Sequence, residues 1–119
     1  MTPNKVIEYV DRVKINMYTD EDKYTWMNTL EGLIVREVLG GEGSGLVFPD
    51  DADTELIVPA PYDDMYALYV MAMIDFHNRE YDNYNNTVMV FKERLDQFKA
   101  WYVRNNRQAT ADNFRNVMG

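Results

Sequence analysis

The sequence predicts a mainly α protein. Its fold is a small helical bundle in which two long helices, at about 62–79 and 83–103, pack with two N-terminal helices at about 3–14 and 20–39. Three observations carry this. From Tyr84 onward the large apolar residues fall at Tyr84, Val88, Phe91, Leu95, Phe98 and Tyr102, in steps of four and three that stay on one helix face. The preceding stretch from Tyr62 to Phe76 is apolar on nearly every side, the pattern of a helix covered by neighbours all round. Two N-terminus signatures, Thr2-Pro3 and Thr19 with Asp22, open the first half of the chain.

Taken in order, Thr2 reads as an N-cap with proline at the first helical position, and Val6, Val10 and Val13 then recur on one face. The pattern lapses over Ile15-Asn16-Met17-Tyr18. Thr19, with Asp22 three residues on and an acidic first turn, starts the second helix. Trp26, Met27, Leu30, Leu33, Ile34 and Val38 keep to one side of it until Gly40-Gly41, where glycine can take the left-handed conformation that ends a helix. Gly32 inside that helix lowers propensity and marks an expected close helix contact.

Residues 40–61 form a long loop. Its first part is glycine-rich, and Asp50-Asp51-Ala52-Asp53 is acidic and turn-forming. Two apolar pieces, Leu46-Val47-Phe48 and Leu56-Ile57-Val58, either pair as a short β-hairpin or lie across the bundle. Leu46, Val47 and Phe48 are a candidate partner contact, since long loops in compact domains are commonly functional; capping the core is the alternative. Pro59-Ala60-Pro61 then holds the chain out of helix until Tyr62, where Asp63 and Asp64 occupy the first turn.

Between helices three and four there is no glycine or proline. The break rests on Asn and Asp residues, which prefer caps and turns, and a single bent helix is the other solution. Val90 and Trp101, eleven residues apart on helix four, share an azimuth off the main stripe and make a second apolar strip that needs a cover. Residues 1–103 read as one helical domain. Residues 104–119 read as a polar tail, a short helix or disordered, with Phe114, Val117 and Met118 as candidate contacts.

Composition bounds function. A chain of 119 residues makes one domain, which buries roughly two thirds of its unfolded surface. It has no cysteine, which excludes a disulfide framework, a zinc ribbon and a cysteine nucleophile. No export signal or membrane span is expected. The net charge of -8 disfavours recruitment of a phosphate backbone. That charge is uneven: residues 92–119 carry six basic and three acidic side chains, and the body is acidic. Such polarity lets identical copies dock head to tail, or marks a solvated tail.

Catalytic, cofactor-binding and metal-binding residues are all expected to be absent. The single histidine, His77, has the Glu80 carboxylate three residues on, but it stands at the start of the polar segment where the helix is expected to break, and a structural hydrogen bond at a helix end is the expected role. The acidic turn at 50–55 lacks the spacing and central glycine of an EF-hand loop and reads as solvated. The glycine patch follows a helix and ends without Gly-Lys-Ser/Thr, so it matches neither a Walker loop nor a dinucleotide turn.

The segment from Pro59-Ala60-Pro61-Tyr62-Asp63-Asp64-Met65-Tyr66 through Ile74-Asp75-Phe76-His77-Asn78-Arg79-Glu80-Tyr81 to Asn86 resembles small phage and prophage head-tail connector proteins. This is the adaptor, or head completion, family that sits beneath the portal ring of tailed phages. The resemblance extends over most of the chain in layout, apart from the glycine loop and the tail. It implies a non-enzymatic helical subunit that assembles with itself into a ring at the head-tail junction of the virion, after a cytoplasmic stage in the host. It implies vertical contacts to the portal and to a further head-completion or tail protein, assigned here to Leu46, Val47, Phe48, Phe114, Val117 and Met118. A lateral contact would fall on Val90 and Trp101. DNA would pass through without specific binding. A different class, a small cytoplasmic helical interaction or regulatory module acting as monomer or dimer, is the alternative.

Overall fold

The computed structural model describes the backbone of residues 1–41 and 46–118, with side chains as far as residue 105. The chain forms α1 (Pro3–Val13), α2 (Asp20–Ile34), α3 (Met65–His77) and α4 (Tyr81–Met118). A π-helical turn, Val35–Leu39, prolongs α2, and a 3-10 turn, Tyr62–Asp64, leads into α3. The mainly α class and the four-helix bundle are as the sequence predicts.

The caps form as their residues dictate. Thr2 accepts the Lys5 N–H at 3.3 Å with Pro3 in the first turn. Thr19 and Asp22 make a reciprocal capping box: the Thr19 hydroxyl accepts the Asp22 N–H at 3.1 Å and the Asp22 carboxylate accepts the Thr19 N–H at 3.3 Å. Gly40, at φ +71°, closes α2 in the left-handed conformation. Gly32 departs from expectation. A Cβ built there meets nothing within 4 Å, so the glycine marks no close helix contact.

α3 is the centre of the bundle, packed against α1, α2 and α4. Met65, Tyr66, Ala67, Val70, Ala72, Ile74 and Asp75 are all buried, which is what its apolar circumference requires. α4 lies on it through Phe91 and Phe98, with Leu95 and Tyr102 half-buried along the predicted stripe. Val6, Ile7 and Val10 of α1 and Tyr24, Met27, Leu30 and Ile34 of α2 complete the core.

The reversal between α3 and α4 is a true turn. The Glu80 N–H reaches the Asp75 carbonyl at 2.9 Å and the Arg79 N–H the Phe76 carbonyl at 3.1 Å, the two bonds of a Schellman motif. Its left-handed position is occupied by Arg79, at φ 60°, where glycine is usual. α3 and α4 therefore separate at 78–80, α3 closing at His77 and α4 opening at Tyr81.

Two further expectations are corrected. The apolar loop pieces form no hairpin, and among the described residues there is no strand. Core side chains and other backbone groups take the donors a ladder would need. The Leu46 N–H donates to Asn28 Oδ1 at 3.0 Å, the Leu56 N–H to the Met1 carbonyl at 3.0 Å, the Ile57 N–H to Glu31 at 3.1 Å and the Val58 N–H to the Tyr66 hydroxyl at 2.9 Å. Leu56 and Val58 are thereby buried across the bundle. Second, α4 does not stop at Val103. No glycine or proline interrupts residues 104–118, and the helix runs to Met118, about 57 Å at 1.5 Å per residue.

Candidate functional site

The six-residue corner joining α1 to α2, residues 14–19, puts two large apolar side chains in water. Ile15 is 97% exposed and Met17 98%, with Val13 beside them at 55%. Single exposed apolar residues are ordinary; here three stand together within five residues of chain.

The corner is braced from both ends. Lys14 Nζ lies 2.6 Å from Asp75 Oδ1, tying the end of α1 to the middle of the bundle, where Asp75 is only 1% exposed. Asn16 donates to Asp11 Oδ1 and to the Lys14 carbonyl, both at 3.0 Å, and accepts the Tyr18 N–H at 3.1 Å. The Tyr18 hydroxyl donates to Asn78 Oδ1 at 2.7 Å, and its ring stands edge-on to Trp26 at 5.4 Å. From beneath, the buried Lys23 ammonium donates to Asp11 Oδ1 at 2.6 Å. Burial pushes the Asp11 carboxyl up, but the hydrogen bonds from Lys23 and Asn16 outweigh it and hold the group below its ordinary range. These contacts brace the corner that presents Ile15 and Met17 to solvent.

About twenty ångströms away along α2, at 1.5 Å per residue, lies an apolar groove of about 180 Å³ between α2, α3 and α4. Leu30, Leu33, Ile34 and Val38 form one wall and Tyr69, Phe91 and Leu95 the other, while Glu37 and Lys99 stand at its mouth. Leu33, half exposed, sits on the rim. Tyr69 and Phe91 meet at 5.3 Å between ring centroids, and burial raises the Tyr69 phenol above its ordinary value.

The residues singled out from the sequence fall elsewhere. Val47 and Phe48 are exposed and Leu46 half-buried where the chain enters the turn at 48–53. The Phe48 ring stands edge-on to Tyr24 at 5.2 Å, and Asp51 accepts the Val47 N–H at 2.7 Å and the Thr54 hydroxyl at 3.2 Å. Val90 is exposed, but Trp101 is half-buried, stacked on Phe98 at 6.0 Å and leaning on Tyr62 at 5.9 Å. The chain's own aromatic residues thus cover the tryptophan of the expected strip. The side chains of Phe114, Val117 and Met118 lie outside the described residues.

His77 ends α3 with Nδ1 2.8 Å from the Met73 carbonyl and its ring among Tyr18, Trp26 and Phe76, the helix-end hydrogen bond expected of it. Among the described residues no group of three or more His, Cys, Asp or Glu side chains is placed to hold a metal ion, and no helix is long and apolar enough to cross a membrane.

The corner and the groove were not singled out by the sequence. The signal for the first was the lapse at 15–18, where Ile15 and Met17 appear in a connection too short to bury them. The groove had none, because it depends on how Leu33 and Leu95 come to face each other from helices about sixty residues apart. Comparison of the chain with family models, with curated proteins and with solved structures gave no match.

Proposed function

We propose that this protein is an assembly subunit of the head-tail connector kind, which joins copies of itself into a ring beneath a portal and extends the channel through which DNA leaves the head. The observation that carries the reading is the braced display of Ile15 and Met17, wholly in solvent on a helical scaffold. Apolar anchors held rigidly at a surface lose little conformational freedom on binding, which is the economy of a protein interface. The acidic body supports a channel wall along which phosphates slide, because a basic lining would retain them. Val47 and Phe48, exposed where the chain enters the turn at 48–53, remain the candidate vertical contact to the portal or to a completion protein.

Light scattering coupled to size exclusion, over a wide range of protein concentration, tests this. A discrete high-order species is the expected result. A monomer persisting at the highest concentration overturns the connector reading and leaves the interaction or regulatory module in its place.

A further inference from the structure

We infer that the acidic turn at 48–53 is the docking site of a basic segment, and that its occupant is the C-terminal end of α4, residues 104–118, from a second copy of this chain. This deepens the assembly reading and rests on it for the existence of an oligomer. The contact itself is argued from three separate observations.

The first is uncompensated charge. From residue 37 to residue 78 the chain has no lysine or arginine, and Asp50, Asp51 and Asp53 fall together within that stretch. Asp50 and Asp53 are exposed, and neither has a cationic partner among the described residues. Asp51 accepts the Val47 N–H and the Thr54 hydroxyl, both neutral donors, so its charge is not cancelled either. The charges on neighbouring elements do not reverse this. Lys5 and Glu8 of α1 are one of each sign, Glu55 faces the Met1 ammonium, Lys23 of α2 is buried against Asp11, and Asp20 and Glu21, one turn before Tyr24, are acidic.

The second is a hydroxyl without a partner. Tyr24 of α2 is 3% exposed, and its Oη has no hydrogen-bond partner among the described residues. Its ring stands edge-on to Phe48 at 5.2 Å, which sets it against the start of the turn. Burial, and then the charges of Asp51, Asp53 and Asp50, push the phenol above its ordinary value, so these three carboxylates are the charges that reach it. Buried polar groups are ordinarily hydrogen-bonded, and a donor seated among the aspartates supplies the missing bond. A guanidinium, with five N–H groups, serves the hydroxyl and the carboxylates together. A metal ion fits less well, because no group of three carboxylates among the described residues is placed to hold one.

The third is complementarity within the chain. Residues 104–119 carry Arg104, Arg107 and Arg115 against Asp112, a net +2, which leaves -10 for residues 1–103. α4 packs on the bundle as far as Trp101 and Tyr102 and runs on to Met118, roughly 24 Å further at 1.5 Å per residue. The turn, by contrast, is fastened to α1 and α2: the Asn4 N–H donates to the Ala52 carbonyl at 2.9 Å, and Phe48 lies on Tyr24. A continuous helix lying on α3 does not fold its own end back to that turn. The contact therefore forms between copies, and because its two surfaces differ it repeats from one copy to the next.

Charge reversal in the full chain tests this. Asp50→Lys/Asp53→Lys and Arg107→Glu/Arg115→Glu, each alone, are expected to need at least about tenfold more protein to assemble. An equimolar mixture of the two should assemble at close to the parent's concentration, because the acidic tail of one then meets the basic turn of the other. Circular dichroism of both should match the parent. Tyr24→Phe loses no bond within the subunit, so it should unfold like the parent and yet need about tenfold more protein to assemble. If the parent assembles but any of these variants does so at the parent's concentration, or the mixture fails to recover, the contact is wrong while the assembly reading stands. Saturable binding of calcium chloride by the parent, lost on Asp50→Lys/Asp53→Lys, makes the turn a metal site and overturns the contact as well. If the parent stays monomeric throughout, both readings fall.

Discussion

Glu31 of α2 accepts a hydrogen bond from the Tyr66 hydroxyl of α3 inside the core, and that hydroxyl in turn accepts the Val58 N–H at 2.9 Å. The second Glu31 oxygen takes the Ile57 N–H at 3.1 Å. Glu31 is 2% exposed and Tyr66 fully buried. One carboxylate and one phenol thus fasten two helices and the end of the long loop at a single point. Removing the hydroxyl leaves a carboxylate oxygen and a backbone N–H without partners. Tyr66→Phe is therefore expected to lower stability by about 2–3 kcal/mol, as for a buried polar group stripped of its partner, measured by urea unfolding. A loss below half a kilocalorie would mean that the fastening carries no net stability.

The same site predicts a pH dependence. Burial raises the Glu31 carboxyl above its ordinary value of 4.5, against the opposing bonds from Tyr66 and Ile57. The folded state thus holds this proton more tightly than the unfolded chain does. Its contribution to stability is fully present below 4.5 and is lost as pH rises through the raised folded value. Glu31→Gln cannot titrate. The stability advantage of the parent over Glu31→Gln should accordingly be greatest in acid and shrink towards neutrality, whatever the variant's constant loss from presenting an amide to the Ile57 N–H. Equilibrium unfolding of both proteins across that range measures it, and a difference that stays level with pH would contradict the shift.

How far the fold was legible follows from where its signals reside. Caps and helix faces are local, so Thr2, Thr19, Asp22 and Gly40, and the stripe from Tyr84 to Tyr102, could be read directly. The α3–α4 reversal was ambiguous because Arg79 stands where a glycine would have announced it. The buried charges were hidden for another reason. Lys23 and Glu31 lie on a polar-looking helix whose inward face is set by partners far along the chain, Asp11, Ile57 and Tyr66. The candidate site was less legible still, since exposure of Ile15 and Met17 depends on the whole bundle closing behind them.

Two backbone positions should tolerate improvement. Arg79 holds a left-handed conformation that costs a residue with a Cβ about 1–2 kcal/mol, and its side chain is exposed. Arg79→Gly is expected to raise stability by about 1 kcal/mol, the gain being partly offset by the freedom glycine restores to the unfolded chain. At Gly32 the reasoning runs the other way. A Cβ there enters open space on a helix, so Gly32→Ala should stabilise by about 1 kcal/mol. Thermal unfolding of the two variants and their combination should show near-additive gains, the sites being well apart. A lower melting temperature for Gly32→Ala would mean that this position needs glycine for a reason other than space.

The Lys14–Asp75 pair links stability to the proposed interface. Asp75 is buried on α3 and its Oδ1 lies 2.6 Å from Lys14 Nζ, while Lys14 keeps a quarter of its side chain in solvent. Truncating one member of a buried pair strands the other charge, at a cost of roughly 3–5 kcal/mol, and the partial exposure of Lys14 puts this case near the lower figure. Lys14→Met should therefore destabilise by about 3 kcal/mol, and Asp75→Leu by less, since the freed ammonium can turn to water. The double variant, apolar on both sides, should recover most of the loss, because neither charge is then left unpaired. Even when the double variant is as stable as the parent, the corner has lost its tie to α3, and Ile15 and Met17 are no longer held in place. Assembly should then weaken although stability has returned, a separation that a purely structural ion pair would not produce; unfolding and light scattering on the same samples measure both.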